Sequence, residues 1–138
     1  MHKYSNSRKE EIRKEYNIIR YSNSSLKHEK IKSNVKSALK ILLDKYHTEE
    51  KYIGIYWPLK GEVDIRFIKE NNKQKVALPS SSKIKGISYH HWAKNQLEVD
   101  SNKIPAPSRE KALNPNDISI LFVPAIAIDQ EGYRLGYG

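Results

Sequence analysis

Lys9, Arg13 and Arg20 are separated by four and then seven residues. On a helix that advances roughly 100° per residue they fall within about 40° of one another. A row of cations suits phosphate, and arginine adds a two-pronged fork of donors. The same row would also serve as a solvated basic face on a terminal helix. A second group is Trp57-Pro-Leu-Lys-Gly-Glu62-Val-Asp64. An aromatic wall can stack a flat heterocycle, and a carboxylate can accept paired hydrogen bonds from an amino-pyrimidinone edge. The plainer alternative is a core tryptophan followed by a polar turn. A third group is Asp129-Gln-Glu-Gly-Tyr-Arg-Leu-Gly-Tyr-Gly138, where Gly132, Gly136 and Gly138 let the backbone approach an anion and Arg134 adds charge. It fits neither a Walker A loop nor G-x-G-x-x-G, and an ordinary loop at a chain end remains the alternative. His90 and His91 are adjacent, so in a strand they point to opposite faces and make no metal pair. No Ser-His-Asp arrangement and no metal motif is evident.

These groups need elements to position them. Ser7 to about Arg20 is expected to be a helix, with Ile12, Tyr16 and Ile19 as its apolar stripe. The segment from Tyr21 to Ser25 is a break that offers an N-cap. A second helix from about Leu26 to Tyr46 carries Ile31, Val35, Ala38, Leu39, Leu42, Leu43 and Tyr46 on one face. Strands are expected at Tyr52–Trp57, at Lys75–Pro79 with proline ending it, and at Gly86–Trp92. Asp64 is placed to cap a short helix reaching about Asn71. Asp100 to Asn116 reads as loop, and Asp129 to Gly138 as a polar, glycine-containing loop. Ile118–Val123 is the most apolar strand and is expected to be buried on both faces. Helices alternating with short apolar strands imply an α/β fold with a mainly parallel sheet. Ligands in such folds bind beyond the C-terminal ends of the strands. The loops after Trp57 and Ile128 are of that kind.

The 138 residues suffice for one domain, and 38% hydrophobic with 30% charged residues is a foldable composition. The chain has no cysteine, so disulfides and thiolate metal sites are excluded. No apolar run approaches membrane-spanning length, and the charged N-terminus does not resemble a secretory signal. A soluble cytoplasmic protein without a membrane partner is expected. The formal charge of +9 favours a polyanionic partner of some kind.

Taken in order, the groups resemble the 5-formyltetrahydrofolate cyclo-ligase family. The family opens with a helix bearing Lys, then Arg four residues later, then another Arg. A Gly-Glu-Val-Asp turn follows an aromatic residue and proline. Then come a "valP" strand, here Val76-Ala-Leu-Pro79, and a Pro-containing segment, here Ile104-Pro-Ala-Pro107. The most specific block runs Asp117-Ile-Ser-Ile-Leu-Phe-Val-Pro-Ala-Ile-Ala-Ile-Asp129, then Gly132-Tyr-Arg-Leu-Gly-Tyr-Gly138. Ile128 stands where the family usually has Phe. The likeness extends from Lys9 to the end.

The resemblance implies an ATP-dependent, Mg2+-requiring closure of 5-formyltetrahydrofolate to 5,10-methenyltetrahydrofolate, releasing ADP and phosphate. It implies Lys9, Arg13, Arg20, Arg134, Leu135, Gly136, Tyr137 and Gly138 as ATP-binding residues, with Arg134 and Tyr137 catalytic. Trp57, Glu62, Tyr137 and Gly138 would hold the folate, and no metal ligand lies within the chain. The implied fold is a three-layer α/β sandwich like that of the phosphosugar-isomerase and CoA-transferase group, lacking its last elements. The chain stops within the glycine-rich loop, before the "yYDR" run whose Asp is expected to bind magnesium. The 138 residues are thus expected to form a single incomplete domain, monomeric, marginally stable, and inactive or nearly so alone. Two other readings are a small basic nucleic-acid-binding protein and a non-catalytic remnant that keeps folate or nucleotide affinity. The cyclo-ligase reading expects no nucleic-acid partner.

Overall fold

The computed structural model describes residues 5–22, 25–93 and 96–137. In chain order its elements are helices α1 (Asn6–Tyr21) and α2 (Ser25–Tyr46), and strands β1 (Tyr52–Gly54), β2 (Lys75–Ser82), β3 (Gly86–His91), β4 (Glu98–Val99), β5 (Pro105–Ala106), β6 (Ile118–Leu121), β7 (Ala127–Ile128) and β8 (Arg134–Leu135). Short 3-10 turns occupy Arg66–Glu70 and Pro115–Asp117. The chain divides into two compact units, Met1–Ile31 with Pro124–Gly138, and Lys32–Val123. No helix among the described residues is long and apolar enough to cross a membrane.

The Lys32–Val123 unit is built on a four-stranded sheet of order β3-β2-β1-β6. Strand β1 runs parallel to both β2 and β6, while β3 returns antiparallel beside β2. The fold is therefore α/β with a mixed, mainly parallel sheet. Ile53, Ile55, Val76 and Leu78 are essentially sealed from solvent, together with Leu39 of α2 and Ile65 and Ile68 around the first 3-10 turn. Each such aliphatic side chain stabilises the unit by about 1.5–3 kcal/mol. At Gly54 an added Cβ would meet the Leu121 side chain, which would have to shift, so the small residue lets β6 lie close against β1.

Several expectations change here. Strand β1 is shorter than expected, although Ile55 still donates to the Ala77 carbonyl at 2.9 Å. Pro79 does not end β2, because pairing with β3 carries the strand through it, opposite Tyr89. Proline removes one donor without preventing the ladder on either side. Strand β6 is not buried on both faces. Among the described residues it pairs with β1 alone, its residues are at most half-buried, and Leu121 is exposed. Among its described residues, helix α2 reaches the apolar core through Val35, Leu39 and Leu43, one residue per turn, while Ile31, Ala38, Leu42 and Tyr46 remain exposed. A small core has room for a narrow line of contact. The stretch expected as loop contains the β4–β5 ladder and the second 3-10 turn.

In the other unit, Ser5 caps α1 by accepting from the Arg8 amide at 3.3 Å. Helix α1 has no buried residue, so the expected stripe of Ile12, Tyr16 and Ile19 does not become a sealed face. The expected break before α2 falls partly on residues 23–24, outside the described ones. The polar loop from Asp129 resolves into the antiparallel β7–β8 hairpin. Asp129 Oδ1 accepts from the amides of Glu131 and Tyr133, and Gly132 adopts φ 84°, a left-handed conformation that favours glycine.

Candidate functional site

The helix–hairpin unit gathers most of the expected phosphate residues. The single-face spacing on α1 turns Arg13 and Arg20 toward the chain around β7 and β8. Arg13 Nε donates to the Gly136 carbonyl at 2.9 Å. Arg20 Nη2 donates to the Ala125 carbonyl, and Nη1 to the Tyr137 hydroxyl, both at 2.7 Å. The Arg20 guanidinium also lies 5.9 Å from the Tyr137 ring centroid. Arg134, in β8, donates from Nη1 to the Pro124 carbonyl at 2.9 Å. Gly136 makes room for it, since an added Cβ would stand 3.0 Å from Arg134 Nη1. Leu135 contributes through its carbonyl, which accepts from the Ile126 amide at 2.8 Å. Lys9 lies half-buried one turn before Arg13 on α1. Gly138 lies outside the described residues.

Among the described residues, Arg13, Arg20 and Arg134 make no ion pair. The hydrogen bonds given above for them end on carbonyl oxygens or a phenol. Neutral acceptors orient a guanidinium without cancelling its charge. Three cations fixed in this way suit a polyanion such as a nucleotide phosphate. Asn17 was not singled out from the sequence. It lies four residues after Arg13 and three before Arg20, hence on the same helix face. Its Oδ1 is buried without a hydrogen-bond partner. An amide among cations at helical spacing was the available signal.

Trp57 and Glu62 belong to the sheet unit, beyond β1. The turn between them is closed at both ends. The Glu62 amide donates to the Leu59 carbonyl at 3.0 Å, and Glu62 Oε2 accepts from the Leu59 amide at 2.8 Å. Gly61 takes φ 83°, as the third residue of a type II turn requires. Trp57 is half-buried and packs edge-on to Trp92, with ring centroids 6.0 Å apart at 61°. The Arg66 guanidinium lies 4.3 Å from the Trp57 ring centroid. Asp64 grips that guanidinium with both oxygens, at 2.9 Å to Nε and 2.6 Å to Nη2. Hydrogen bonding from Arg66 holds the Asp64 carboxyl below its ordinary range, although partial burial opposes this. Asp64 thus organises the start of the 3-10 turn, through the Arg66 amide at 3.0 Å, rather than capping an α-helix. Arg66 and Trp92 were not foreseen. The Asp-x-Arg spacing was a weak signal for one, and nothing in the sequence marked the other.

The two histidines of β3 do face opposite ways. His90 is buried, with Nδ1 2.6 Å from the Glu110 carbonyl and Nε2 2.8 Å from Ser88 Oγ. His91 packs edge-on against Tyr52. Among the described residues no group of three or more His, Asp or Glu could hold a metal ion.

Comparison with known proteins gives concordant results. The sequence model of the 5-formyltetrahydrofolate cyclo-ligase family matches residues 5–138. The fold is similar to the NMR structure of Aquifex aeolicus 5,10-methenyltetrahydrofolate synthetase, at 32% identity and a TM-score of 0.74, covering 94% of this chain and 67% of that one. It is also similar in fold to a 5,10-methenyltetrahydrofolate synthetase from Mycoplasma pneumoniae, at 19% identity and a TM-score of 0.68, covering 94% of this chain and 71% of that one. No curated protein matches the chain.

Proposed function

Because the chain belongs to the 5-formyltetrahydrofolate cyclo-ligase family, we propose that its residues serve the ATP-dependent closure of 5-formyltetrahydrofolate to 5,10-methenyltetrahydrofolate. The observation that carries this reading is the set of three arginines whose hydrogen bonds leave their charge uncancelled. In the proposed reaction the formyl oxygen attacks the γ-phosphorus and ADP leaves. N10 then bonds to the activated formyl carbon, that carbon's oxygen departs with the phosphate, and the N10 proton is lost to the departing phosphate. Little acid–base chemistry is needed. The demand is for alignment and for neutralising charge on transferring oxygens.

Arg13, Arg20 and Arg134 meet that demand, with Lys9 adding charge from the same helix. The Gly136 and Tyr137 backbone would let phosphate oxygens approach closely, with Gly138 continuing the loop and Leu135 fixing its start. Tyr137, oriented by Arg20, would border the folate. Glu62 has one carboxylate oxygen engaged in its own turn, and the other would accept from the pterin amino edge. Trp57 would form the wall beside it. Mg2+ bound together with ATP would add to the neutralisation of phosphate charge that these residues provide. The protein is read as a monomeric cytoplasmic enzyme acting on small molecules.

Calorimetry with a non-hydrolysable ATP analogue tests the carrying observation. The wild-type chain is expected to bind it, and Arg13→Ala to weaken binding by roughly ten- to a hundredfold, matching a charge-assisted hydrogen bond of about 1.5–3 kcal/mol. No nucleotide binding by the wild-type chain would overturn the reading.

A further inference from the structure

We propose that Asp64 and Arg66 act as a positioning pair that fixes the Trp57 indole as the wall of the folate site. This rests on the substrate role given to Trp57 above, and extends it to two residues without an assigned role. Ile65 and Ile68 are buried at 2% and 4% exposure, so the chain on either side of Arg66 is anchored in the core. Asp64 then receives the Arg66 amide, Nε and Nη2, three donors from one residue on one carboxylate. A guanidinium held by its backbone, its Nε and one terminal nitrogen has a fixed plane. The guanidinium carbon lies over the Trp57 ring, 4.3 Å from its centroid. Trp92, 8% exposed and edge-on to Trp57, supplies a second fixed contact. The indole is thus held between a buried aromatic and a clamped cation.

Two consequences follow for a ligand. The guanidinium occupies one indole face, so a flat heterocycle cannot stack there. The wall is also ordered before binding, and a loose indole would instead have to be ordered by the ligand. The pair is poorly suited to capturing anions, because Asp64 already cancels the Arg66 charge. Its contribution is geometric and acts through Trp57.

The chain contains two tryptophans, so coupling between their indoles in circular dichroism has a single source. Arg66→Ala is expected to abolish that coupled band in the free protein. It is also expected to weaken 5-formyltetrahydrofolate binding about tenfold, the cost of freezing one loosened side chain, with ATP-analogue affinity unchanged. Arg66→Lys keeps the charge but loses the planar fork, and should behave like the alanine variant. It also serves as the test if Arg66→Ala does not fold. A wild-type band in both variants would overturn the proposal. So would loss of the band with unchanged folate affinity. If the wild-type chain binds no folate, the substrate reading of Trp57 fails, while the band still reports whether the pair orients the ring.

Discussion

Helix α1 buries none of its residues, while the sheet unit seals Ile53, Ile55 and Leu78 completely. The contrast extends to their charged groups. In the helix–hairpin unit Arg13, Arg20 and Arg134 rest on carbonyl oxygens and a phenol. In the sheet unit Arg66 is matched by the carboxylate of Asp64. At the three arginines cationic charge stays available, whereas at Arg66 it is neutralised and the resulting ion pair holds an aromatic ring. Phosphate recognition calls for the first arrangement, and recognition of a flat, largely neutral heterocycle calls for the second.

The largest test of this contrast is stability. Ile53→Ala, at the centre of β1, should cost about 2–5 kcal/mol in denaturant unfolding. Ile18→Ala on α1, where the side chain is 70% exposed, should stay within about 0.5 kcal/mol. Similar costs at both positions would erase the distinction. A smaller effect should separate the ligands. Glu62→Gln keeps the size of the side chain but replaces one acceptor oxygen with a donor. Calorimetry should then show about tenfold weaker 5-formyltetrahydrofolate binding, by the loss of one charge-assisted hydrogen bond, and no change for the ATP analogue. Equal losses for both ligands would contradict the division of roles.

The smallest effect concerns pH, and it too falls on the sheet unit. Desolvation lowers the pKa of His47 and of His91 from the ordinary 6.5, with Lys69 and Lys75 adding to the effect at His91 while Glu49 and Glu110 oppose it at their respective partners. The unfolded chain therefore takes up these protons first. Stability should fall as pH drops below 6.5, and level off once the folded imidazoles are also protonated. Thermal unfolding midpoints between pH 7.5 and 5.5 would show the decline, and His91→Gln should make it shallower. An unchanged slope in that variant would remove His91 as a source.

How much was legible beforehand differs between the regions. Helix spacing alone placed Lys9, Arg13 and Arg20 on one face, because 3.6 residues per turn is a local rule. The turn at Gly61 and the left-handed Gly132 are likewise local, and their glycines marked them. The four strands of the main sheet were legible as strands from β-branched and aromatic runs, whereas the two-residue strands β4, β5, β7 and β8 were not. The extent of β2 was not, since passage through Pro79 depends on a partner strand. The exposure of β6 was also hidden, because an apolar run looks the same at the end of a sheet as in its middle.

By itself the sequence determined the two α-helices, the chain order of the four strands of the main sheet, the glycine turns and the row of cations. Each depends on residues a few positions apart. Tertiary structure alone decided that Arg13 reaches Gly136, and that Arg20 reaches Ala125 and Tyr137, across more than a hundred residues of chain. It also decided that Trp92 meets Trp57. Such contacts arise when burial of apolar surface and satisfaction of donors select one packing from many, a choice that no local spacing encodes.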